Sequence, residues 1–212
     1  MTLSAITGYP RIGSRRELKQ AVEGFWDGEL ELSTLEETAH TLRLEAWQHM
    51  SNAGIDLIPS NTFSYYDHVL DAIAMVGAIP PRYQTSESND VDLETYFAMA
   101  RGAQREGLDV TAMEMTKWFD TNYHYIVPEL GPSTTFRLAT HKALSEYREA
   151  KAAGIETVPV LVGPLSLLLL GKGVDNNGRP APNFDCLSLL PSLLGTYEEA
   201  ISELHDAGAQ WL

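Results

Sequence analysis

Apolar residues recur at helical spacing in several stretches, and most of these end in a glycine followed by a short apolar run. Leu3–Thr7 is brief and partly β-branched, then breaks at Gly8-Tyr9-Pro10, which reads as a strand feeding a loop. Ser14 and Glu17 have capping-box spacing, and Leu18, Val22 and Phe25 follow on one helical face until Asp27-Gly28. Ser33 and Glu36 repeat the box ahead of a second face formed by Leu35, Leu42, Ala46 and Met50.

Three junctions share a pattern. Ala53-Gly54 precedes Ile55–Pro59, Ala153-Gly154 precedes Ile155–Gly163, and Ala207-Gly208 precedes Ala209–Leu212. Glycine suits the left-handed position after a helix, so each junction predicts a helix stop followed by a strand, as in βα units with a parallel sheet. A helix is predicted near Tyr66–Val76, a loop over Gly77–Asp90, a short helix from Asp92 and a further strand within Ala112–Phe119. Gly171–Pro182 is a loop by composition. None of these breaks reads as a domain boundary, so residues 1–212 are expected to form one domain. Four strand candidates and the start of a fifth fall short of a (β/α)₈ barrel of ~250 residues. The expected fold is therefore α/β, an incomplete TIM-type barrel truncated before closure.

Composition narrows the function classes. The 212 residues are 44% hydrophobic and 21% charged, ordinary globular values, with a formal net charge of −14. An acidic surface disfavours nucleic acid and anionic membranes, which need clustered Lys and Arg. One cysteine, Cys186, cannot build an internal disulfide or a thiolate zinc cage. No apolar run approaches the ~20 residues of a membrane span, and Met1–Tyr9 lacks a leader pattern, so a cytoplasmic location is expected.

Against that acidic background, Arg11, Arg15, Arg16 and Lys19 gather at the start of the first helix. Cations there oppose the helix dipole by roughly 0.3–1 kcal/mol each, and Arg15 and Lys19 repel at i,i+4 spacing. The cluster is either an anion site, combining free backbone N–H groups with basic side chains, or a solvated basic edge. Lys117 lies in an aromatic stretch, Glu114–Tyr125. It either holds a substrate carboxylate at the end of a barrel strand, or snorkels or pairs with Glu114 or Asp120. The six histidines show no metal-ligand spacing, and His124, between two tyrosines, is the one of interest. Tyr65-Tyr66-Asp67-His68 reads as the polar end of a helix rather than a catalytic dyad. Phosphate-loop, dinucleotide and nucleophile-elbow motifs are missing.

Gly8-Tyr9-Pro10-Arg11-Ile12-Gly13-Ser14-Arg15-Arg16-Glu17-Leu18-Lys19 resembles the opening of the cobalamin-independent methionine synthases. Ala53–Pro59, Tyr66–Leu70, Glu114–Tyr125 and Val160–Pro164 resemble further blocks of that family in the same order. The resemblance implies the N-terminal portion of the first of two (β/α)₈ barrels. It also implies a methyltransferase that uses 5-methyltetrahydropteroyltri-L-glutamate and homocysteine and needs no cobalamin. Arg16, Glu17, Leu18, Lys19 and Lys117 fall on the family's folate-polyglutamate positions, with Arg15 an additional anion contact. Zinc and most of the homocysteine site belong to the family's C-terminal barrel, so no catalytic or metal residue is expected here. The segment alone is expected to be inactive and to self-associate through open strand edges. A stand-alone anionic-ligand module and an inert structural fragment are the alternatives.

Overall fold

The computed structural model describes residues 2–84, 91–105 and 108–212. In chain order the helices are α1 (Glu17–Trp26), α2 (Leu32–Asn52), α3 (His68–Met75), α4 (Leu93–Arg101), α5 (Lys142–Ala152), α6 (Pro164–Leu170) and α7 (Leu190–Asp206). The strands are β1 (Pro59–Ser60), β2 (Ala103–Arg105), β3 (Leu108–Val110), β4 (Met115–Lys117), β5 (His124–Ile126), β6 (Glu129–Leu130), β7 (Val158–Pro159) and β8 (Lys172–Gly173). They form two compact units. One comprises Met1–Tyr65, Lys142–Leu161 and Leu204–Leu212; the other comprises Tyr66–His141 and Val162–Glu203.

In the first unit α1 packs on α2, burying Leu18, Ala21 and Val22 on one side and Leu35, Ala39, Trp47 and Met50 on the other. Both expected capping boxes are corrected. Arg16, not Ser14, is the N-cap of α1. Helix α2 begins at Leu32, which puts Ser33 inside it. β1 pairs in parallel with β7, and Ala5 bridges Leu57 in parallel. The expected strand at Leu3–Thr7 shrinks to that bridge, because the Ser4 N–H and hydroxyl both bond the Asp56 carboxylate, each at 2.8 Å. Trp47, Met50, Ile58, Ala150 and Ile155 make the core beneath the β1–β7 pair.

The glycine junctions behave as helix stops. Ile55, Ile155 and Ala209 each donate a backbone N–H to the carbonyl five residues back, at Met50, Ala150 and Leu204. This is the Schellman bond, and it needs the positive φ of Gly54, Gly154 and Gly208. The strand expected after Gly208 does not form: residues 209–212 are irregular. Ala209 is spent closing α7, and Gly208–Leu212 finds no ladder partner among the described residues.

In the second unit α3 packs against α4, α6 and β5. β6 pairs in parallel with β8, inside the stretch read as the Gly171–Pro182 loop. β2–β3 and β4–β5 are antiparallel hairpins. The strand expected in Ala112–Phe119 is therefore half of a hairpin, not a parallel barrel strand. The chain reverses after Trp118, whose N–H donates to the Tyr123 carbonyl at 2.7 Å. The loop expected over Gly77–Asp90 holds a 3-10 turn at Pro81–Tyr83, and its residues 85–90 lie outside the described residues. The whole is mixed α/β with small sheets, consistent with an incomplete α/β barrel.

Helices α2 and α5 are joined through Glu149, which meets both Arg43 and His40, the latter through Nδ1 at 2.7 Å. The Arg43 guanidinium donates to both Glu149 oxygens, with Nη2 to Oε2 at 2.8 Å and Nε to Oε1 at 3.1 Å. Removing Arg43 from this part-buried pair leaves Glu149 with the half-exposed His40 as a partner. Arg43→Ala should lower stability by about 3 kcal/mol in urea unfolding, and Arg43→Met by less, since it keeps the apolar stem.

Candidate functional site

The start of α1 is built by a turn rather than a side-chain cap. Arg16 donates its N–H to the Gly13 carbonyl and Leu18 to Ile12, each at 3.2 Å. Arg16 sits at φ 65, ψ 35, a left-handed conformation costing a non-glycine residue about 1–2 kcal/mol. Such strain clusters at ligand sites and switches. Glu17 holds the turn: its carboxylate accepts from the Arg15 backbone N–H at 2.9 Å and from Arg15 Nε at 3.1 Å. Bonds from its own and the Arg15 backbone N–H keep the Glu17 carboxyl below the usual range. A Cβ at Gly13 would strike that carboxylate.

The sequence-derived residues therefore have distinct surroundings. Leu18 is 2% exposed, so only its backbone can meet a ligand. Arg16 is exposed. Lys19 is exposed too and meets Glu23 at 3.6 Å, a surface pair of little net worth. A small cavity nearby is lined by Tyr9, Arg11, Arg43, Trp47, Phe63 and Glu146. Glu146 is 4% exposed, yet it is bonded by Lys142 at 2.9 Å and by the Asn61 N–H at 3.0 Å. Lys142 also donates to Asn61 Oδ1 at 2.8 Å and to the Phe63 carbonyl at 2.6 Å. Sequence reading missed this network, although the i,i+4 spacing of Lys142 and Glu146 was a usable signal.

In the second unit Lys117 is exposed on β4, in register with His124. It does not pair with Glu114, whose carboxylate accepts from Lys172 at 2.8 Å. Trp118 meets Phe119, Tyr123 and Tyr125 edge-on, which stiffens the hairpin. Phe119 follows at φ 49 and is 76% exposed. His124 turns Nδ1 to the Asn122 carbonyl at 3.0 Å.

Behind the hairpin lies Asp67, 1% exposed. As expected of a polar helix end, it caps α3. Its Oδ1 accepts from Val69 N–H at 2.7 Å and Leu70 N–H at 3.1 Å, while Oδ2 accepts from Ile126 N–H at 3.1 Å. Burial pushes its carboxyl up to about 6, against the three N–H bonds and with help from nearby Asp71. Elsewhere Arg82 grips both oxygens of buried Glu129. Among the described residues no group of three or more His, Cys, Asp or Glu could hold a metal ion. Among them, too, no helix is long and apolar enough to cross a membrane.

A family model for the N-terminal domain of the cobalamin-independent synthases matches residues 3–212. This chain belongs to the cobalamin-independent methionine synthase family. It is 57% identical over 212 residues to a 5-methyltetrahydropteroyltriglutamate–homocysteine methyltransferase of Arabidopsis thaliana, covering 99% of this chain and 26% of that protein. The match to the same-named protein of Oryza sativa is 56%, with the same coverage. To that of Salinibacter ruber it is 53% over 215 residues, covering 99% of this chain and 27% of the relative. The chain thus spans about a quarter of the length of these relatives.

Asp67 gives this family member a defined pH signature. Its folded value, about 6, lies above the ordinary 3.8, so the folded state holds the extra proton between those values. The neutral form is favoured at low pH, and its stabilising contribution is lost as pH rises through 6. Between pH 4 and 7.5, Asp67→Asn should therefore gain about 2 kcal/mol relative to wild type in urea unfolding.

Proposed function

We propose that this chain is the N-terminal, folate-binding part of a methyltransferase. The parent enzyme moves a methyl group from 5-methyltetrahydropteroyltri-L-glutamate to homocysteine, giving methionine. What carries the reading is the placement of exposed cations in a chain of net charge −14: Arg16 and Lys19 beside a strained helix start, and Lys117 on an aromatic hairpin. A pterin ring offers mainly neutral hydrogen-bonding edges, whereas a triglutamate tail offers several carboxylates. Arg16 can engage a carboxylate with a two-pronged fork, and the lysines act as point charges. Arg15 is partly engaged by Glu17 and serves as an auxiliary contact. Glu17 holds the turn, and Leu18 contributes backbone.

The same reading takes the complete domain as a TIM-type barrel and the enzyme as cytoplasmic, and the net charge of −14 disfavours nucleic acid and anionic membranes as partners. Homocysteine and the zinc that keeps its sulfur as a thiolate nucleophile are assigned to the C-terminal barrel of the parent.

Charge-assisted bonds to a partly desolvated carboxylate are worth roughly 1.5–3 kcal/mol. Lys19→Ala or Lys117→Ala should weaken triglutamate binding roughly ten- to hundredfold and monoglutamate far less, measured by calorimetry. Added salt should erode the difference. Equal loss for both substrates would show that these lysines do not read the tail. A second assay supplies the 212-residue chain with zinc, homocysteine and the triglutamate substrate. No methionine should form, and turnover would place the chemistry within this chain.

A further inference from the structure

We propose that Asp67 is a positioning residue for the hairpin that presents Lys117, its second carboxylate oxygen acting as the acceptor a third strand would otherwise give β5. The inference rests on the reading of Lys117 as a contact for substrate carboxylate. β5 is satisfied toward β4 by the hairpin ladder, with Trp118 N–H donating to Tyr123 and Val127 N–H to Glu114. Its other edge turns Ile126 N–H to Asp67 Oδ2 at 3.1 Å. A second tie lies three residues earlier, where the Tyr123 hydroxyl accepts from His68 N–H at 3.2 Å. The two ties bracket His124, the register partner of Lys117. The start of α3 therefore sets where the Lys117 strand lies within this unit.

A helix cap alone does not require this residue. Asn or Ser would cap α3 about as well without burying a charge. What they cannot supply is two acceptor oxygens directed to two elements at once. The charged and titratable groups facing Asp67 are Asp71 on its own helix, Tyr96 on α4 and Tyr125 on β5. Tyr96 is committed to Asp71, donating its hydroxyl at 2.7 Å. Helix α6, also packed on α3, has no titratable side chain. Proton uptake by the carboxyl, whose value burial raises to about 6, converts Oδ2 from a strong acceptor to a poor one and loosens the β5 tie. The hairpin then keeps the Tyr123 tie and the bond from the Tyr125 hydroxyl to the Leu170 carbonyl at 3.2 Å.

The test compares wild type, Asp67→Asn, Tyr123→Phe and Lys117→Ala in this chain. Triglutamate affinity is measured from pH 5 to 8, alongside amide exchange. In Asp67→Asn the retained carbonyl still caps α3, so Val69 and Leu70 amides should stay protected while Ile126 exchanges faster. Affinity at pH 7.5 should fall about fivefold, and Tyr123→Phe should cause a similar loss. Wild-type affinity should rise as pH increases through about 6, and that rise should vanish in Asp67→Asn. An imidazole losing its proton beside Lys117 would give the opposite slope. If Lys117→Ala loses affinity while Asp67→Asn keeps both its affinity and the pH step, Asp67 is only a cap and the inference is overturned. If wild type and Lys117→Ala bind equally, or neither binds, the reading of Lys117 fails and this inference falls with it.

Discussion

Strands of two or three residues cannot satisfy their own backbone, and several side chains among the described residues answer that constraint. A ladder as short as β1–β7 forms few bonds before the chain leaves it. Backbone groups beside it are buried and must still find partners. Trp47 therefore donates its indole N–H to the Pro59 carbonyl at 3.2 Å. Asn61, just past β1, spans to the Val160 carbonyl at 2.8 Å. In the second unit Asp67 does the same for β5, and Gly131 N–H beyond β6 is taken by the Thr134 hydroxyl at 2.8 Å. Such side chains are fixed by the backbone they complete, so their geometry is rigid where a free surface group's would not be.

The same constraint separates structural charges from those available for binding. Arg43, Arg82 and Lys142 are part-buried and answered by Glu149, Glu129 and Glu146. A cation in that position is committed, since removing its anion would leave it stranded at several kcal/mol by order of magnitude. Arg16, Lys19 and Lys117 lie exposed instead, two of them beside left-handed backbone at Arg16 and one beside that at Phe119. Exposed cations such as these can meet an anionic ligand without first breaking a buried pair, which suits carboxylate recognition.

Apolar helical faces and helix C-terminal stops were legible from local sequence. The apolar faces of α1 and α2 and the three Ala-Gly stops follow from 3.6-residue periodicity and from glycine's tolerance of positive φ, both properties of short segments. Tyr65-Tyr66-Asp67-His68 was legible as a polar helix end, while the capping bonds of Asp67 to Val69 and Leu70 come from the structure. The blocks Gly8–Lys19 and Glu114–Tyr125 carried the family, because long ordered matches specify more than any single motif.

Pairing was not legible, because a strand's partner lies far along the chain. Whether Met115–Lys117 would run parallel in a sheet or fold back on His124–Ile126 depends on where the chain reverses, and the aromatic stretch suits either outcome. Ser14 and Ser33 had capping-box spacing, yet neither caps. Arg15 and Glu17 closed a tighter turn around Gly13, and α2 began a residue before Ser33. The second role of Asp67 was invisible for the same physical reason: its partner Ile126 is 59 residues away, and only tertiary folding brings that N–H to the carboxylate.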